Sequence, residues 1–308
     1  MTKPNISNEA DTVAPNFYQC LLSGKISAIL DAFEDEPRID APRSGAIFGR
    51  EAVKNFLEEE LSWLESLGAS VDGLREVKTT STNERVVQEV GILLPIPPVP
   101  RPIMFAMVAD LRAGGIAAIR LYYCYGYLSG NQEFLRAAML PADTTLHDTI
   151  PPAVRSYVDG IEAADFEVWK LFADGASLMG VPSIPFKGSK LVRFFAIAMA
   201  EDGGVPLQPV TVTSDDKTCA IEENLDSWGS IQFQRSTAGL AVYDYDDSGY
   251  LTAARIYDDI PVNPFSKPGW TYDNWDLISS RMKATGCESS FVPSAESTSL
   301  EIKEKLLF

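Results

Sequence analysis

Two glutamates recur at matching places in this chain. Glu89 lies in VVQEVG and Glu222 in CAIEEN, 133 positions apart, each among apolar residues of a strand-like run. A carboxylate in such a place is costly to bury unless it is paired or its pKa rises. A raised pKa is what a general acid or base needs near neutrality. A solvated or edge-strand position would explain the same pattern equally well. Asp258 is a third candidate, following Arg255-Ile256-Tyr257 at the end of the last strand-like run. Tyr122, in the run Tyr122-Tyr123-Cys124-Tyr125, and Tyr257 and Trp228 either line a ligand site or fill a core. Carboxylates carry the argument because His147 is the only histidine. Ser-His-Asp triads, zinc centres and Cys-His nucleophiles are thereby disfavoured. No metal and no cofactor is expected.

The elements around these residues occur twice. Phe33 and Gly49 flank a segment matched by Phe172 and Gly188, 139 positions on. Gly114 and Arg120 in AGGIAAIRLYY match Gly249 and Arg255 in DSGYLTAARIY, 135 positions on. A nearly constant offset over this length indicates two copies of one domain rather than a short solenoid repeat. The expected division is a first unit over residues 14–130, a linker over 131–151, a second unit over 152–265 and a tail over 266–308. A helix is expected in the tail around 275–284.

In the first copy, helical spacing predicts helices from Asn16 to Leu22, from Ile26 to Phe33 and from Arg50 to Leu67. The third has an apolar stripe of Val53, Phe56, Leu57, Leu61, Leu64 and Leu67. A short extended piece, Arg38-Ile39-Asp40, precedes a loop. Strands follow in ERVVQEVGILL, IMFAMVADL and GIAAIRLYYCYGYL, and the Pro-rich LPIPPVPRP cannot lie in a central strand. In the second copy, helices are expected over 155–162, 166–172 and 189–199. Strands are expected over 210–214, 218–225, 230–234, 238–245 and 251–257, with a hairpin turn at Asp246-Asp247-Ser248-Gly249. Helices first and antiparallel strands after predict an α+β class: two tandem cone-shaped units, each with helices packed on a curved, mostly antiparallel sheet.

This chain resembles the SnoaL-like and ketosteroid-isomerase-like proteins of the nuclear transport factor two-like superfamily. The resemblance rests on Tyr157 followed by GIEAADFEVWKLFADGA, on the G-x-I-x-x-x-R hairpin at Gly114–Arg120 and on its counterpart at Gly249–Arg255. It implies a deep apolar pocket in each cone for a small hydrophobic molecule. It also implies an Asp base after the second helix, with a Tyr and a protonated Asp stabilising an oxyanion. Tyr157 falls on the Tyr position of the second copy, and Gly180 falls where its base would be. In the first copy Phe17 falls on the Tyr position with Tyr18 next to it, and Ala41 falls on the base position with Asp40 just before it. The later acid maps near Met107 and Ala241. A one-residue slip inverts the facing of a strand residue, so Asp40 is either a catalytic candidate or a surface carboxylate. On this mapping the first copy is the better catalytic candidate.

A net charge of −17 argues against nucleic acid and against an anionic membrane surface as partners. Cys20, Cys124, Cys219 and Cys287 stand far apart and predict reduced thiols and a cytoplasmic location. The first residues lack a signal-peptide pattern, and no apolar run is long enough to span a bilayer. Three functions fit. One is an enzyme using carboxylate acid/base chemistry for isomerisation, cyclisation or epoxide opening. The others are a non-catalytic protein for a hydrophobic ligand and an interaction protein pairing through its sheets. A buried carboxylate pair would favour the first, and an all-apolar pocket the second.

Units of this fold pair through the open face of the sheet, which predicts an intramolecular pseudo-dimer with scope for a further homodimer. Each half expressed alone should therefore be insoluble or self-associate. Light scattering on the separate halves checks this; two stable monomeric halves that ignore each other when mixed would refute it.

Overall fold

The computed structural model describes residues 9–95, 101–112, 115–130, 136–180, 184–187, 192, 203–228 and 231–258. The chain divides into two compact units, Met1–Cys124 and Tyr125–Phe308. The expected helices over 189–199 and 275–284, most of the Pro-rich loop and Cys287 lie outside the described residues.

Unit 1 opens with helices α1 (Glu9–Val13), α2 (Phe17–Leu22) and α3 (Ile26–Asp31). Strands β1 (Arg38–Ala41) and β2 (Gly45–Phe48) form a hairpin, and helix α4 (Arg50–Ser66) follows. The Glu36 carboxylate accepts from the free backbone N–H of Arg50 at the start of α4 (3.2 Å). Gly68, at φ +87°, supplies the left-handed residue just past its end. Strands β3 (Leu74–Ser81), β4 (Arg85–Leu94), β5 (Arg101–Arg112) and β6 (Gly115–Tyr122) complete a six-stranded sheet ordered β2-β1-β6-β5-β4-β3.

Unit 2 begins with α5 (Tyr125–Ser129) and reaches α6 (Pro152–Glu162), which has Pro152 in its first turn. Strands β7 (Phe172–Gly180), β8 (Ile184–Lys187), β9 (Leu207–Ser214), β10 (Thr218–Trp228), β11 (Ile231–Tyr245) and β12 (Leu251–Tyr257) form a second six-stranded sheet. Its order, β8-β7-β12-β11-β10-β9, repeats that of unit 1 strand for strand. In each sheet one pair is parallel, β1 with β6 and β7 with β12, and the others are antiparallel.

Irregularities repeat as well. Val77 is an extra residue of β3 opposite the Glu89–Val90 step, and Val210 is an extra residue of β9 opposite Glu222–Glu223. Ala117 of β6 and Thr252 of β12 are extra in the same way. Bulges bend a strand and increase its twist, so each sheet curves at the same two places. The fold is the α+β arrangement expected, in two tandem units with helices on a curved, mostly antiparallel sheet.

Several elements differ from expectation. β2, β7 and β8 were not anticipated, because Gly and Pro in GAIF, FADGASLMG and IPFK weaken the strand pattern. β11 is one strand rather than two, running through the polar Arg235-Ser236-Thr237 that separated the two expected runs. The buried residues of α4 are Val53, Phe56, Leu57, Glu60 and Leu64. Leu61 is half-buried, and Glu60 occupies the core-facing stripe. The segment expected as a linker lies within unit 2 and is not free chain where described. Arg136 O accepts from Ala238 N, and Asp143 N donates to Pro209 O, tying it to β11 and β9. Cys20, Cys124 and Cys219 are buried free thiols. Among the described residues, no helix is long and apolar enough to cross a membrane.

The repeated arginines have a repeated partner. Arg120 donates from both terminal nitrogens to Asp110 at 2.5 and 3.0 Å, and Arg255 does the same to Asp244 at 2.7 and 3.2 Å. Burial disfavours ionised Asp110, but hydrogen bonds and charge from Arg120, then Arg85, outweigh it and hold its carboxyl below the usual range. Removing one partner of a largely buried pair typically costs several kcal/mol. We expect Arg120→Ala to destabilise unit 1 by about 3 kcal/mol in denaturant titrations. Lys54→Ala, which breaks an exposed helical pair with Glu58, should cost under about 0.5 kcal/mol. Equal effects would contradict this account.

Candidate functional site

Strand alternation sorts the side chains of each sheet into two faces. In β10, Cys219, Ile221, Glu223 and Leu225 share one face. Cys219, Ile221 and Leu225 belong to the core packed with Val154, Tyr157, Val158 and Ile161 of α6. Glu223 therefore points into the cone interior. It is 2% exposed, and its Oε2 has no hydrogen-bond partner. Its cross-strand neighbour in β11 is Gly239. A Cβ on Gly239 would sit 3.3 Å from Glu223 Oε1 and 3.4 Å from its Cγ. The missing side chain is what makes room for the carboxyl group.

Asp258, following β12, is also buried. By alternation it shares the interior face with Ala254 and Ile256, both part of or packed on the same core. Burial, then the charge of Asp258, pushes the Glu223 carboxyl up to about 8. Tyr157 of α6 and Tyr243 of β11 complete the cluster, their rings 5.6 Å apart and edge-on. Burial first and the charge of Glu223 second raise both phenols above their ordinary value. The cluster holds two buried carboxyl groups beside two phenols that burial keeps protonated. Such a set can give one proton and take another.

Unit 1 has a different interior. Val90 stands where Glu223 stands in unit 2, and Tyr123 stands where Asp258 does. The buried carboxylate comes instead from Glu60 of α4, 1% exposed. Tyr123 donates to Glu60 Oε1 at 2.7 Å, and Arg43 Nε donates to Oε2 at 3.1 Å. Burial raises the Glu60 carboxyl, and the bond from Tyr123 and the charge and bond of Arg43 partly offset this. Trp63 and Phe105 rings flank Tyr123 at 5.6 and 5.1 Å. Phe17 and Tyr18 are buried in the same core, and Tyr18 donates to the Ala106 carbonyl at 3.1 Å.

The residues singled out from sequence fall on both faces. Asp258, Tyr157, Phe17 and Tyr18 are interior. Asp40 is buried rather than a surface carboxylate, at 2% exposure. Ile39 and Ala41 take the core positions on either side of it. Asp40 lies in register with Arg120 on the opposite face and bonds Arg38 at 3.2 Å. Glu89 is buried with Lys78 across from it, and Gln88, bonded to Pro15 and the Tyr18 amide, takes the helix side. Glu222 accepts from Thr211 Oγ1 at 2.5 Å, facing away from Glu223. The edge or solvated reading of these two glutamates does not hold, since both are at most 2% exposed. Tyr122 and Tyr257 are buried on the same outer face as Arg120 and Arg255. Trp228 ends β10, and its side chain lies outside the described residues. His147 is half-exposed and bonded to Asp159 at 2.7 Å. Glu60, Gln88, Tyr123, Glu223 and Tyr243 are therefore interior polar groups that the sequence candidates omit. The alternation Cys219, Ile221, Glu223, Leu225 and the helical spacing Phe56, Glu60, Leu64 carried both signals. Among the described residues no group of three or more His, Cys, Asp or Glu is arranged to hold a metal.

No family model matches this chain, and no curated protein matches it. Solved structures similar to it include a putative polyketide cyclase from Sinorhizobium meliloti, at 16% identity over 36% of this chain and 97% of that one, TM-score 0.31. An NTF2-like protein from Anabaena variabilis is similar at 24% identity over 40% and 93%, TM-score 0.30. The epoxide hydrolase/cyclase-like enzyme SalBIII, described in pyran ring formation in polyether salinomycin, is similar at 14% identity over 38% and 92%, TM-score 0.31.

The Glu223 environment sets a pH dependence. Its folded pKa is raised above the unfolded value of about 4.3. Below that value both states are protonated and nothing is lost. As pH rises toward about 8 the unfolded chain releases a proton that the folded one retains, so stability falls, by a few kcal/mol in all. Glu223→Gln should remove this slope. Thermal melts from pH 5 to 8 should show the variant gaining on the wild type as pH rises; a pH-independent difference would sink the assignment.

Proposed function

We propose that this protein is an acid/base enzyme acting on a small apolar molecule, with unit 2 as its reactive half. The observation that carries the reading is the buried carboxyl pair Glu223 and Asp258 within an apolar core. Glu223 keeps its proton near neutrality, so it serves as the general acid, with Asp258 as the base. Asp258 takes a proton from a C–H or O–H group of the substrate, and Glu223 gives its proton to the oxygen or carbon that gains charge. Charge is balanced, and no redox partner is needed. Isomerisation, cyclisation and epoxide opening all have this form. Tyr157 and Tyr243 donate hydrogen bonds to the developing oxyanion. Unit 1 supports the reading as the less reactive half, because both oxygens of Glu60 are already held and Asp40 faces away from its interior.

A panel of β,γ-unsaturated ketones, hydroxy-epoxides and simple epoxides tests this, with products followed by mass spectrometry in deuterated water. For any member that turns over, Glu223→Gln should lower kcat at least about 100-fold, while Glu222→Gln stays within a few-fold. Equal losses in the two variants, or none in Glu223→Gln, would refute it. Binding without turnover across the panel would favour the non-catalytic ligand-binding reading.

A further inference from the structure

We propose that unit 1 carries a ligand site of its own, in which Arg43 donates to an oxygen of a small neutral aromatic molecule held beside Trp63 and Tyr123. The proposal does not depend on the role of Glu223. Arg43 presents the Nε and Nη2 edge that ordinarily takes both oxygens of one carboxylate. Here Nε donates to Glu60 Oε2, and the other Glu60 oxygen is turned to Tyr123. Nη2 is left buried with no hydrogen-bond partner, and Glu59 Oε2, at 3.9 Å, is beyond bonding range. An orphaned guanidinium N–H is costly, and an acceptor brought by a ligand would relieve it.

The neighbours define that ligand. Glu59 and Glu60 flank the guanidinium, so a further anion would meet two carboxyl groups, and a cation would meet Arg43. A neutral carbonyl or ether oxygen fits. The Arg43 guanidinium lies 5.7 Å from the Trp63 ring, and Trp63, Tyr123 and Phe105 form a run of aromatic contacts. A planar ring finds matching partners there. The cluster reaches the surface, since the Arg43 side chain keeps 21% of its exposure and Trp63 is half-buried.

The test titrates the full chain with a solvent-sensitive naphthyl ketone and with the same naphthalene lacking the carbonyl, following probe emission. The ketone should bind more tightly, and Arg43→Ala should erase that preference, a loss of about tenfold. Trp63→Ala should weaken both probes. Should Arg43→Ala melt far below the wild type, a crystal of the wild type with the ketone replaces it, expected to place the ketone oxygen within hydrogen-bond distance of Nη2. An unchanged preference in folded Arg43→Ala overturns the proposal. So does a ketone found elsewhere, or no binding of either probe.

Discussion

A carboxyl group with an unpartnered oxygen inside an apolar core is a destabilising feature, and the rest of unit 2 is arranged around the one at Glu223. Burial leaves the group two options: find donors or stay protonated. No donor reaches Oε2, so the proton is what neutralises it. The charge of Asp258 pushes in the same direction. Gly239 leaves the volume the carboxyl occupies, and the extra residue Val210 bends β9 alongside it. A well-packed apolar residue would serve stability better here, as Val90 does at the matching place in unit 1. Retaining an acid at such a cost is what a site for proton transfer requires.

The two units share a scaffold and differ in content. Strand order, the parallel pair, both bulges and the Arg–Asp pairs behind the sheet are all repeated. These features fix curvature and the orientation of the long strands, whatever the interior holds. The interior positions are the ones that changed: Val90 against Glu223, and Tyr123 against Asp258. The repeated parts specify the shape, and the unrepeated parts decide the chemistry.

This division explains what was legible in the sequence. The repeat, the helices of unit 1 and most strands were readable because hydrophobic period and Gly turns report on the scaffold. The Gly-bearing strand β7 was hidden because its order comes from pairing with β12 rather than from its own residues. The site was less legible for a related reason. Matching the copies by offset selects groups common to both, which led to Glu89 and Glu222. Those residues belong to the buried outer face. Asp40 likewise was drawn in by its closeness to a family position, yet Ile39 and Ala41 take the core. The reactive candidate lies one residue from a sequence candidate, and a single step along a strand reverses the face.

Glu60 and Glu223 show how environment assigns different tasks to one residue type. Both are essentially excluded from water, and burial raises both. Glu60 receives one bond from a phenol and one from a guanidinium, so each oxygen has a fixed partner and a proton arriving there must displace a donor. Its carboxyl ties α4 to Tyr123, just past β6, and to Arg43 in the β1–β2 turn. Glu223 has no such anchor on Oε2, so its proton can move to an incoming group without breaking a bond within the protein. The difference in donors, rather than in burial, is what makes unit 2 suited to transfer a proton and unit 1 suited to hold a ligand.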